Sequence, residues 1–154
     1  MSNPPNSFEE WQDYPATLDP IHIAWLKNAK KSRTAFAVAD IEGVEISHKR
    51  FLTGVLLFSK KIASYSPEKN IGLLLPSSGG GAIASLAILA LGKTIVNLNF
   101  TAGKKALKSA AEQAEVKHIY TSRKFLDKMA ERGMNLESFF PNSKLLMLED
   151  IKEE

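Results

Sequence analysis

From residue 71 to residue 148, short apolar runs alternate with stretches of helical periodicity, and this alternation leaves few folds open to the chain. Residues 71–75 form a continuous apolar run, as a strand buried on both faces requires. Residues 80–91 are helical in pattern and almost wholly apolar, with Gly92 as the stop. Residues 94–98 give a second strand, 103–115 a second helix and 116–120 a third strand. Ser122 is placed to cap a helix running to Arg132 and ended by Gly133, and residues 144–148 give a fourth strand. Strands joined by helices at these intervals are βαβ units, whose crossovers require parallel pairing. The predicted fold is α/β, a mainly parallel sheet with flanking helices.

A hairpin is predicted ahead of this region. Residues 34–39 are β-branched and apolar, residues 42–47 alternate with a period of two, and Asp40-Ile41-Glu42-Gly43 reads as the turn between them. Ser47 caps the next helix, over 48–64, in which Phe51, Leu52, Val55, Phe58 and Ile62 keep helical spacing until Ser66-Pro67. Before the hairpin, Asp19-Pro20 reads as a cap and first helical position for a helix over 21–31. Ile21, Ala24, Trp25 and Ala29 share its apolar face, and Lys27, Lys30 and Lys31 complement the dipole of its last turn. Residues 1–18 are expected to be an irregular segment, broken by Pro4, Pro5 and Pro15, in which Phe8, Trp11 and Tyr14 could dock one helical turn. Residues 19–154 then make one α/β subdomain.

Composition narrows the class. At 154 residues, with 44% hydrophobic and 24% charged residues, the chain has the make-up of one globular domain. A net charge of +3 is too small for the basic footprint of a nucleic-acid binder. The absence of cysteine removes disulfides and thiolate metal sites. Met1-Ser2-Asn3-Pro4-Pro5 lacks the basic start and apolar core of a secretory signal, and a cytoplasmic protein is expected. The charge-free stretch 82–91 would extend roughly 15 Å as a helix, half a bilayer core, so no transmembrane segment is expected.

The most distinctive local feature is Ser77-Ser78-Gly79-Gly80-Gly81, between a buried strand and a helix. Gly79-x-Gly81-x-x-Ala84 matches the glycine spacing of a dinucleotide-binding turn, in which a pyrophosphate reaches backbone N–H groups at a helix start. Three residues separate the strand from the glycines, however, and the following strand ends in Asn97-Leu98-Asn99 with no carboxylate for a ribose. No Gly-Lys-Ser/Thr follows either. The motif is therefore read as a flexible loop, with these five residues kept as the cofactor-binding candidates. His22, His48 and His118 lack metal-ligand spacing and lie on different elements, and no nucleophile elbow is present, so no catalytic or metal residue is assigned. The pairs Lys30-Lys31, Lys60-Lys61 and Lys104-Lys105 fall at helix ends or starts. Solvated charge is their ordinary reading, and a shallow basic face for an acidic carrier or an anionic lipid headgroup is the alternative.

Several segments together resemble the adenylate-forming (AMP-binding) ligases, the superfamily of acyl-CoA synthetases, luciferases and peptide-synthetase adenylation domains. They are the hairpin region from Phe36 to Phe51, Asn70-Ile71-Gly72-Leu73-Leu74-Leu75-Pro76-Ser77-Ser78, the helix ending Leu89-Ala90-Leu91-Gly92-Lys93, and Ile95-Val96-Asn97-Leu98-Asn99. Within that superfamily, Asn99-Phe100-Thr101-Ala102-Gly103 and Ile119-Tyr120-Thr121-Ser122-Arg123-Lys124-Phe125-Leu126 look like the acyl–acyl-carrier-protein synthetases joined to 2-acylglycerophosphoethanolamine acyltransferases.

The resemblance implies a parent that activates a fatty acid with ATP and Mg²⁺ and passes it to a carrier thiol. The family's Thr/Ser/Gly-rich phosphate loop, its later acidic motifs and its catalytic lysine have no counterpart in these 154 residues, and Arg123-Lys124 follow Tyr120-Thr121-Ser122 where a loop would need glycine. The chain reads as an N-terminal scaffold fragment, without activity or bound cofactor of its own. Its implied partners are the remainder of the ligase or a separate ligase half, an acyl carrier protein, and further copies of itself. The parent's implied place is cytoplasmic and peripheral at the inner membrane. Two other readings stay open: a stand-alone nucleotide-binding module, and a small interaction protein paired with a separate acyltransferase or ligase subunit.

Overall fold

The computed structural model describes residues 19–40 and 45–150. The irregular segment 1–18 and the hairpin turn at 41–43 lie outside the described residues. Helix α1 (Ile21–Lys31) leads to an antiparallel pair, β1 (Phe36–Ala39) and β2 (Glu45–Ser47). Helix α2 (His48–Tyr65) follows at once, with Ser47 Oγ accepting from Arg50 N at 3.5 Å as its cap. Then come β3 (Asn70–Leu73), α3 (Gly79–Ala90), β4 (Thr94–Asn97), α4 (Lys104–Gln113), β5 (His118–Thr121), α5 (Arg123–Glu131) and β6 (Lys144–Met147). Short 3₁₀ turns stand at Phe100–Ala102 and Glu137–Phe139.

The four later strands form one parallel sheet in the order β4-β3-β5-β6, as the βαβ reading requires. Alternation along the strands sends side chains to opposite faces. Ile71, Leu73 and Tyr120 join Phe51, Val55, Phe58 and Ile62 of α2 and Ala84, Ala87 and Ile88 of α3. Leu74 and Ile119 join Leu107 and Ala111 of α4 and Phe125 and Met129 of α5. The sheet is thus the middle of three layers. Gly72 is held to glycine by this packing, because a Cβ there would stand 2.8 Å from Ile119 Cγ1 and 2.9 Å from Val116 Cγ1.

Helix ends follow local chemistry. Ser122 Oγ accepts from Phe125 N at 3.1 Å, and Gly92 (φ +68°) and Gly133 (φ +78°) take the left-handed conformation just past α3 and α5. Three expectations are corrected. Asp19 does not cap α1. Pro20 is the last non-helical residue and its carbonyl accepts from Ile23 N and Ala24 N, so Asp19 lies one position too far out and pairs with Lys27 Nζ at 2.6 Å. The apolar face of α1 is also rotated. Ile21 and Ala24 are exposed, whereas Ala29 is buried and His22, Trp25 and Leu26 are half-buried. The Trp25 ring, 5.0 Å from that of Phe51, sets this rotation by filling the junction with α2. Finally, the glycines are not a loop: α3 begins at Gly79, one residue ahead of the helical pattern that starts at residue 80, and Gly79, Gly80 and Gly81 lie in its first turn.

Helix α3 lies inside the protein as expected, but unevenly: Ala84, Ala87 and Ile88 are fully buried while Ile83, Leu86 and Leu89 are half-buried. Among the described residues, no helix is long and apolar enough to cross a membrane.

Candidate functional site

The carboxyl ends of β3 and β4, the start of α3 and the hairpin strand β1 enclose an open groove of about 580 Å³. Open parallel sheets bind ligands outside the carboxyl ends of their strands. The walls are Leu73 and Leu75 from β3 and the residues after it, Val38 and Asp40 from the hairpin, Ser77, Ser78 and Ser85 from α3 and its approach, and Asn97 from β4. All but Asn97 sit close to the glycine motif in sequence or reach it through the hairpin.

Ser78 is committed to α3. Its Oγ accepts from Gly81 N at 3.1 Å, and Ser85 Oγ donates to Gly81 O at 2.8 Å one turn later. The glycines answer to packing. A Cβ on Gly79 would lie 2.9 Å from Ile46 Cδ1, so glycine lets the hairpin press against the helix start. A Cβ on Gly81 would lie 3.2 Å from Pro76 O, whereas one on Gly80 would meet only Leu148 Cδ1 at 3.7 Å. Among the described lining residues Asp40 is the one ionisable side chain, and no Lys or Arg stands there to attract phosphate. The donor set of hydroxyls, one amide and one carboxylate does not fit a polyphosphate with its metal. Neither do the described residues contain three His, Asp or Glu grouped to hold a cation. The groove can hold an apolar or polar segment, and its described lining residues include no His, Lys or Arg.

The structure keeps the three histidines apart. His22 lies on α1, and His48 begins α2 with its Nδ1 buried and without a hydrogen-bond partner. His118 begins β5, where its Nδ1 is 2.7 Å from Glu68 Oε1. That contact belongs to a polar cluster at the amino ends of the strands, away from the groove. The hydroxyls of Tyr120 and Ser66 lie 2.9 Å apart in the interior, and Lys93 Nζ donates to Ser66 O at 2.8 Å and Glu68 O at 2.6 Å. Burial pushes the Tyr120 pKa upward, with the Ser66 hydrogen bond opposing it and the Glu68 charge adding to it. The cluster ties the end of α2 to β3 and β5. Its members are spread from residue 66 to residue 120, and no spacing in the sequence announces them. A second cleft, of about 330 Å³, lies between α4 and residues 139–143 and carries both charge signs, including Lys108, Glu112, Glu115 and Lys117.

No protein-family model matches the chain. Among solved structures, the fold is similar to that of O-succinylbenzoate coenzyme A synthetase from Bacillus subtilis in complex with AMP. The TM-score is 0.69 at 13% identity, covering 84% of this chain and 32% of that one. The N-terminal subdomain of NpsA from Klebsiella oxytoca matches with a TM-score of 0.69 at 10% identity, covering 87% of this chain and 32% of that one. A four-domain nonribosomal peptide synthetase bound to AMP and glycine matches with a TM-score of 0.69 at 18% identity, covering 86% of this chain and 9% of that one. The chain therefore has the α/β fold found within these proteins, and spans at most about a third of their length.

Proposed function

We propose that this chain is the N-terminal scaffold of an ATP-dependent, AMP-forming acid–thiol ligase and is inactive by itself. In this reading the acid is a fatty acid and the acceptor is the thiol of an acyl carrier protein, as the Asn99–Gly103 and Ile119–Leu126 segments imply by resemblance. ATP and Mg²⁺ are held by the remainder of the ligase or by a separate half, not by Ser77, Ser78, Gly79, Gly80 or Gly81. The parent works in the cytoplasm, and isolated copies of this chain associate with one another.

One observation carries the reading. The groove at the carboxyl ends of β3 and β4, with no Lys or Arg among its described lining residues, stands on a fold matched over most of this chain by synthetases several times its length. Its lining suits one wall of a site whose phosphate-binding cations come from elsewhere, since adenylation needs preorganised donors around the α-phosphate. Pyrophosphate release by the purified chain with ATP, Mg²⁺ and a long-chain fatty acid tests it. The expected signal equals that of a heat-killed control. Turnover above that control, abolished by a substitution within residues 1–154, would sink the scaffold reading.

A further inference from the structure

Residues 20–39 and 46–67 contain eight Lys or Arg residues and no Asp or Glu. These two stretches are α1, β1, the end of β2 and α2; the segment between them, 40–45, holds Asp40, Glu42 and Glu45. The five exposed large apolar side chains among the described residues also all fall in them: Ile21, Phe36, Leu56, Leu57 and Tyr65, each between 45% and 68% exposed. Neither coincidence is required by the fold, because α4 and α5 expose lysines mixed with acids and bury their large apolar residues.

On α2 the two features share one line. Phe51, Val55, Phe58 and Ile62 face the core, so helical spacing puts Lys49, Leu56, Leu57 and Lys60 on the outward side. Lys49 N donates to Arg33 O at 2.8 Å and His48 N to Ala35 O at 3.0 Å, which clamps the loop after α1 to the start of α2 and adds Arg33 to that end. At the other end Lys61 Nζ lies 5.7 Å over the exposed Tyr65 ring. Lys49, Arg50 and Lys60 form no ion pair among the described residues.

From this arrangement we infer that the outward face of α2, with the end of α1 beside it, docks on the surface of an anionic phospholipid bilayer. A second copy of the chain is a poor occupant because it would bring the same excess of Lys and Arg to the contact. A folded acidic protein is normally held in register by charges of both signs and by shape, and this face offers one sign and no cleft. A lipid surface asks only for cations at headgroup level and a few apolar side chains reaching below them. The inference stands on charge and exposure and does not depend on the ligase reading.

Co-sedimentation of the full 154-residue chain with vesicles tests it. Partition onto phosphatidylglycerol–phosphatidylcholine vesicles is expected to exceed that onto pure phosphatidylcholine at least tenfold, and to fall to the phosphatidylcholine level near 1 M salt. The variants L56S/L57S and K49E/K60E should each lose tenfold or more, since each cation near an anionic leaflet contributes about fivefold. K105E/K128E, on α4 and α5, should bind as the parent does. All these side chains are exposed, so the thermal midpoints should agree, and K49Q/K60Q gives a milder second test of the same face. Three results would overturn the inference: no preference for anionic vesicles, equal binding by all variants, or binding to a soluble acidic protein or polyglutamate that is indifferent to L56S/L57S.

Discussion

The hydroxyls of Tyr120 and Ser66, 54 residues apart in sequence, meet at 2.9 Å in the interior and fasten β5 to the residue that ends α2. Both side chains are completely buried, so each hydroxyl depends on the other. Removing one leaves the other without a partner, at a cost of about 1–3 kcal/mol. Tyr120→Phe and Ser66→Ala are each expected to destabilise by that amount. The double variant should cost less than the sum of the two, as read from urea midpoints in a double-mutant cycle.

The same pair fixes the response to alkali. Burial raises the folded-state pKa of Tyr120, so the unfolded chain ionises first, near the ordinary tyrosine value of about 10. Above that pH the folded state holds the extra proton, and stability falls as pH rises. The contribution is fully present below about pH 10 and is lost as pH climbs toward the folded-state value. Tyr120→Phe should flatten the alkaline limb of stability against pH; an unchanged limb would mean that another group controls it.

Two glycines should respond in opposite directions. Gly72→Ala puts a Cβ under 3 Å from Ile119 and Val116, at a strand position where neither branched side chain can swing away, and should cost about 1–3 kcal/mol. Gly80→Ala meets only Leu148 Cδ1 at 3.7 Å and removes helix-disfavouring glycine, so it should stabilise by up to about 1 kcal/mol. Thermal midpoints of the two variants relative to the parent decide both.

What the sequence discloses is what short-range chemistry determines. The four parallel strands are legible because runs such as 71–75 are apolar on both faces, and Ser47, Ser122, Gly92 and Gly133 mark helix ends through bonds or dihedrals within a few residues. The buried face of α1 was not legible. Its eleven residues carry apolar side chains on two overlapping stripes, and tertiary contacts such as those of Trp25 with Phe51 and His48 select between them. The glycine motif misled for a related reason. Three glycines resemble a loop locally, and their helical state depends on the Ser78 cap and on Ile46 arriving from the hairpin. The groove was half visible, in Ser77 and Ser78, while Val38, Asp40 and Asn97 reach it only through sheet topology.

Ala87 tests the burial of α3. It has no exposed surface, in the cluster that joins α2, α3 and β3. An aspartate there would be an unpaired buried carboxylate, costing several kcal/mol against a total stability of about 5–15 kcal/mol. Ala87→Asp should abolish cooperative unfolding or the folded state itself. Retention of a native-like circular dichroism spectrum and an unchanged midpoint would contradict the packing of α3 between α2 and the sheet.

Nucleotide binding at the start of α3 can be judged from the same geometry. A phosphate cradle needs backbone N–H groups that a ligand can approach, and it gains from nearby cations. Here Gly81 N is already bonded to Ser78 Oγ, the space a Cβ would take on Gly79 is filled by Ile46, and no Lys or Arg is among the described residues of the groove wall. Calorimetric titration with ATP and with NAD should therefore register no binding tighter than about 10 μM, equivalent to about −7 kcal/mol. Gly80→Asp supplies the control, because its side chain has room and would add a second carboxylate beside the helix start. Tighter binding by the parent chain that disappears in this variant would return the glycine turn to the role of a phosphate site.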